Sequence, residues 1–132
     1  MFASFSRFAP QLLGLLRIVS GLLFLSHGLV KILGFPTVPP GRQELLTLFG
    51  IGGVIELVAR TLIMIGLFTR PAAFIASGQM AVAYWMYHAP RSLYPVANDG
   101  DAAILYCFLF LYLVAAGPGA FSLDRARRGG RR

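Results

Sequence analysis

Between Ile51 and Arg70 the sequence reads IGGVIELVARTLIMIGLFTR, an apolar run with Glu56 and Arg60 set inside it. As a helix, about 20 such residues cross the hydrocarbon core of a bilayer. Glu56 and Arg60 then stand one turn apart on the same face, near the middle of the crossing. On insertion scales each central charge costs roughly 3 kcal/mol, while a Leu or Ile returns only about 0.3 to 0.6 kcal/mol. Alone, such a helix is marginal. It needs neighbours that take its charges out of lipid, and that requirement constrains the rest of the chain.

Composition agrees with a membrane setting. The chain has 132 residues, 57% hydrophobic and 13% charged, with mean hydropathy +0.71. That is too apolar for a soluble domain of this length, and its runs are too long and helix-like for an outer-membrane barrel. The fold class expected is an all-α membrane protein, a four-transmembrane-helix bundle. Net charge is +7, but Arg125, Arg127, Arg128, Arg131 and Arg132 crowd the C-terminus. Such a tail reads as a topology signal in contact with anionic lipid, and with no basic fold behind it nucleic acid is not an expected partner. Lys31 is the only lysine, a bias towards Arg that fits a GC-rich bacterial genome.

The chain divides into a membrane domain, 1–124, and an Arg-rich tail, 125–132. Expected spans are about 11–33, 46–68, 71–88 and 101–117. Arg17 and the absence of a following A-x-A site argue that the first run is a retained span and not a cleaved signal. Residues 34–42, GFPTVPPGR, form a turn, and Thr69-Arg70-Pro71 is too short to join anything but antiparallel neighbours. Tyr84, Trp85, Tyr87 and His88 form an aromatic belt. Asn98 or Asp99 is placed to cap the helix that follows. Four spans put both termini on one side with Arg7, Arg70 and the tail. The positive-inside rule therefore predicts a multi-pass inner-membrane protein with both termini cytoplasmic.

Two stripes mark the first span. Gly14, Gly21 and Gly28 recur every seven residues and admit a close helix neighbour, as do Ala73, Ser77 and Ala81 on the third span. Beside the glycines, Arg17, Ser20, Phe24, His27 and Lys31 fall within an arc of roughly 80°. This ridge is expected to face the interior and to meet Glu56 and Arg60. Two arginines against one carboxylate leave spare positive charge, which suits an anion or a quinone carbonyl, with His27 or Glu56 exchanging protons. Packing alone also accounts for such charges, Glu56 neutralising an arginine and fixing helix register.

Other chemistry is poorly represented. Cys107, the only cysteine, makes neither an internal disulfide nor a Cys-x-x-Cys pair and reads as a packing residue. His88, Asp99 and Asp101 match no standard ligand spacing, so no metal is expected. No phosphate loop, nucleophile elbow or haem-attachment motif is present, and the sequence carries no self-contained catalytic motif.

Several short motifs carry a resemblance. Arg17 followed by SHGLVK (Ser26–Lys31), Glu56 in a Gly-rich second span, GLFTRPAA (Gly66–Ala73), Asn-Asp-Gly-Asp before the fourth span and GPGAFSLD (Gly117–Asp124) occur in this order. Across about Leu12 to Asp124 the chain resembles the DoxX family of small four-span bacterial inner-membrane proteins. Two positions depart from the family pattern: Ala59-Arg60, where a small residue commonly follows the acid, and Asp101, where Glu is frequent. The resemblance implies a subunit supporting a quinone-linked or thiol- and oxidative-stress oxidoreductase complex. Quinone would be a bound ligand and not an intrinsic cofactor, and lipid, redox-complex proteins and a second copy of the chain would be the partners. On this reading Arg17 and Arg60 hold the ligand oxygen, Glu56 sets their charge, and His27, with Lys31 beyond it, relays protons. The alternatives are a non-enzymatic membrane scaffold and a small proton-coupled carrier.

Overall fold

A computed structural model describes the backbone of residues 2–33 and 48–130 and the side chains of 2–29 and 53–130. The 34–42 turn and the side chain of Lys31 lie outside the described residues. The described chain is all-α. A 3-10 segment, Phe2–Phe8, leads into α1 (Ala9–Leu33). Then come α2 (Leu48–Ile65), α3 (Thr69–Ala83), a π-turn at Tyr84–His88, a short α4 (Pro95–Asn98), α5 (Asp101–Ala116) and α6 (Leu123–Gly129). Among the described residues, the stretch Phe2–Leu29, 28 residues with mean hydropathy 1.8, is long and apolar enough to cross a bilayer. Asp101–Ala116 is apolar but shorter.

Helix ends follow local chemistry. Gly66, at φ 71°, stops α2: its N–H reaches Ile63 O at 3.2 Å and Leu67 N–H reaches Leu62 O at 3.0 Å. These paired bonds satisfy two of the carbonyls that a helix end otherwise leaves bare. Gly117, at φ 84°, ends α5. At the start of α5 the structure corrects the sequence reading: Gly100 occupies the cap, with no side-chain cap bond. Asn98, fully buried, instead organises the preceding loop, accepting from Gly100 N–H at 2.8 Å and donating to Ser92 O at 3.0 Å. Asp99 takes a left-handed φ of 55°, which closes α4. In the tail, Ser122 accepts from Arg125 N–H and starts a helix over its first residues.

α3 packs on α5, α1 on α2 and α2 on α3. Phe24 closes the ring from α1 to α5, with its centroid 4.9 Å from Phe110 and 5.4 Å from Tyr106. Ile63, Ala72, Ala73, Ala76, Met80, Ala103 and Leu113 complete the core. Small residues let the backbones approach: Ala73 and Ser77 are buried, and Ser77 Oγ donates to Cys107 O at 2.8 Å across α3 and α5. Ala81 is half-buried. Each glycine of the α1 stripe is also covered. A Cβ on Gly14 would lie 2.3 Å from Ala120 O, on Gly21 2.9 Å from Met64 Cα, and on Gly28 2.8 Å from Arg60 Nη1.

The distribution of polarity is inverted relative to a water-soluble bundle. Arg17, Glu56 and Arg60 are buried, while Leu12, Leu15, Val19, Leu22, Ile55, Val58, Phe74, Ile75, Leu105 and Phe108 face outward. Exposed single apolar residues are ordinary in soluble proteins, but a charged interior under an aliphatic exterior is not.

Candidate functional site

The buried charges form two clusters at different depths. In the first, Arg17 is fully buried and spends its whole guanidinium on backbone carbonyls. Nε donates to Pro118 O at 2.8 Å, Nη1 to Ile63 O at 2.8 Å and Met64 O at 2.5 Å, and Nη2 to Ala120 O at 3.2 Å and Phe121 O at 2.7 Å. Ile63 and Met64 belong to the last turn of α2, where carbonyls lack intrahelical partners. Arg has five N–H donors, and here five carbonyls take them. Arg17 therefore ties α1 to the end of α2 and to the 118–121 loop. It retains no donor for a ligand.

Around this lock the C-terminal segment is stitched to both neighbours. Ala120 N–H reaches Pro10 O at 2.8 Å and Asp124 N–H reaches Gly66 O at 2.8 Å. The Asp124 carboxylate then accepts from Phe68 N–H and Thr69 N–H, each at 2.9 Å, and so caps α3 from the far end of the chain. Burial alone would raise the Asp124 carboxyl, but the Thr69 and Phe68 N–H groups and the nearby Arg127 outweigh it and hold it below the usual value. A carboxylate depressed in this way stabilises the fold fully above its unfolded value of about 3.9, and the effect is lost as pH falls through the lower folded value. The thermal midpoint in detergent is expected to drop as pH falls below about 4, with a smaller drop in Asp124→Asn, which should already be less stable at neutral pH.

In the second cluster, Arg60 and Glu56 on α2 form an i, i+4 ion pair with Nη2 2.5 Å from Oε1. The Arg60 guanidinium lies 3.6 Å above the Phe24 ring, a cation–π contact in a water-poor interior. Gly28 gives it room from α1. Arg60 is 1% exposed, and its Nε and Nη1 have no hydrogen-bond partner among the described residues. Buried donors in that state are rare and costly in a folded protein.

The structure thus joins Arg60 and Glu56 to Phe24, keeps Arg17 a layer away, and places His27 at the surface. The buried residues of α1 (Gly14, Arg17, Ser20, Gly21, Phe24 and Gly28) take in the glycine stripe and the near side of the polar ridge. At roughly 100° per residue His27 then sits just past the edge of the buried arc. The sequence reading centred that arc on the polar ridge, and the correction is a rotation towards the side where backbones meet. Asp124 was visible only as the end of GPGAFSLD. A Ser followed two residues later by Asp hints at a helix start, but nothing local shows that the acid caps a helix 55 residues upstream.

The DoxX family profile matches residues 12–89, which holds the whole of α1 from Leu12, α2 and α3. The chain belongs to the DoxX family. It is 42% identical over 123 residues to an uncharacterized protein of Haemophilus influenzae, covering 89% of this chain and 92% of that one. An uncharacterized membrane protein of Mycobacterium tuberculosis is 32% identical over 127 residues, covering 83% and 77%. The Escherichia coli inner membrane protein YphA is 31% identical over 131 residues, covering 88% and 90%. No solved structure matches. With its membrane-length apolar helix, this DoxX chain is a membrane protein of the bacterial inner-membrane type, in contact with lipid. Among the described residues no group of His, Cys, Asp and Glu is arranged to hold a metal.

Proposed function

We propose that this DoxX protein is a four-span inner-membrane subunit, with both termini cytoplasmic, that supports a quinone-linked or thiol- and oxidative-stress oxidoreductase complex. A quinone or small anion binds between the first two crossings, at Arg60 and Glu56. The aliphatic outer faces of α2, α3 and α5 support four crossings, as does the clustering of Arg7, Arg70 and the tail arginines at one end. Lipid thickness is matched by thinning around the shorter helices.

One observation carries the ligand reading: a buried guanidinium whose Nε and Nη1 donors have no partner among the described residues, stacked on Phe24. A carbonyl or anionic oxygen completes those donors, and the aromatic ring suits a planar ligand. Glu56 keeps the net charge of the pair low enough for burial. Arg17 acts as the lock that holds α1 against α2, and His27, at the surface, lies outside the binding centre proper. The saturated Arg17 favours a second reading, a non-enzymatic scaffold whose charges serve only packing.

Gentle-detergent purification followed by lipid extraction and mass spectrometry separates the two. A quinone, or a redox enzyme in the same fraction, is expected with the wild type, and the quinone should be depleted from Glu56→Gln/Arg60→Gln. That double change removes both charges of the pair together, so neither of the two is left buried without the other. A wild-type extract containing phospholipid alone supports the scaffold.

A further inference from the structure

A second candidate site lies at the end of α1 where the chain termini meet. The Ala120 N–H to Pro10 O bond fixes the C-terminal segment beside the N-terminal end of α1, within the membrane-length stretch Phe2–Leu29. There Phe68, Asp124, Arg127 and Arg128 line an open cleft of about 170 Å³. Phe68, Phe121 and Leu123 are exposed beside it, at 54%, 64% and 46%. Arg127 sits 5.2 Å over the Phe68 ring. Arg127 lies close enough to lower the Asp124 carboxyl, whose two oxygens accept from the N–H groups of Phe68 and Thr69. Neither Arg127 nor Arg128 makes a side-chain hydrogen bond among the described residues.

Exposed aromatics next to cationic forked donors, in a chain that lies in a bilayer, match one occupant in both charge and polarity. We propose that this cleft holds the phosphate of an anionic phospholipid, with Arg127 and Arg128 on the headgroup and Phe68 and Leu123 against the acyl shoulder. A soluble phosphate would use the arginines and leave the exposed apolar side chains unexplained. The site requires only that α1 crosses the membrane, and stands apart from the redox reading of Arg60.

The test is native mass spectrometry of the full chain in neutral detergent with equimolar phosphatidylglycerol and phosphatidylcholine. The wild type is expected to retain phosphatidylglycerol in excess. Arg127→Gln/Arg128→Gln should lower that excess about tenfold, Arg128→Gln alone should lower it in part, and Arg91→Gln, in the loop after the π-turn, should leave it unchanged. Millimolar inorganic phosphate should not displace the lipid. Full retention by the double variant, an equal loss in Arg91→Gln, or displacement by phosphate each overturns the proposal. Size-exclusion profiles and thermal midpoints matching the wild type show that the variants are folded, and the single variant still decides if the double one is not.

Discussion

Arg17→Ala is expected to abolish a stable fold. The substitution removes the donors that reach five carbonyls, those of Ile63, Met64, Pro118, Ala120 and Phe121, with Ile63 O keeping the Gly66 N–H. Polar contacts within membrane proteins average about 0.6 kcal/mol and reach about 1.7 kcal/mol, so five amount to roughly 3 to 8 kcal/mol, before any cavity is counted. Whole-domain stability is only about 5 to 15 kcal/mol. Arg17→Lys keeps the charge but offers three donors in place of five and lacks the planar fork, so partial rescue at most is expected. Thermal unfolding followed by fluorescence-detected size exclusion reads both variants. A monodisperse Arg17→Ala protein with a wild-type midpoint would show that these bonds do not hold the fold.

Gly21→Leu should be the next most damaging change. Even a single Cβ at this position would stand 2.9 Å from Met64 Cα and from Met64 N, both backbone atoms that no rotamer change moves. α1 and α2 must then separate, which pulls Arg17 from the Ile63 and Met64 carbonyls and Phe24 from Arg60. Overpacking alone costs on the order of 3 kcal/mol, and the lost bonds add to it. Gly78→Ala provides the contrast: its Cβ would meet nothing within 4 Å, and Ala favours a helix interior over Gly. The thermal midpoint is expected to fall sharply for the first variant and to hold or rise for the second.

Local pattern made much of this fold legible. The seven-residue glycine spacing identified where backbones would meet, and Gly14, Gly21 and Gly28 are all covered. Glu56 and Arg60, four residues apart, announced their own ion pair. Contacts distant in sequence were not readable. Arg17 looked like a spare cation because its acceptors are carbonyls, which every residue carries and no side-chain pattern reveals. His27 was drawn inward by its polar neighbours, yet the buried arc is set by the small residues that permit close approach, and His27 falls outside it. The knot of Asp124 on Thr69 and Ala120 on Pro10 joins the two ends of the chain, and only the folded structure brings those ends together.

The central claim is that the two buried arginines have different tasks, Arg17 fastening helices and Arg60 presenting donors to a ligand. The most direct measurement is titration of a short-chain ubiquinone into nanodiscs carrying the wild type or Glu56→Gln/Arg60→Gln, with the thermal midpoint recorded alongside. Saturable binding by the wild type, weakened at least about tenfold in a double variant that remains folded, is the predicted result. Full-strength binding by the double variant, or no saturable binding by the wild type, would contradict it.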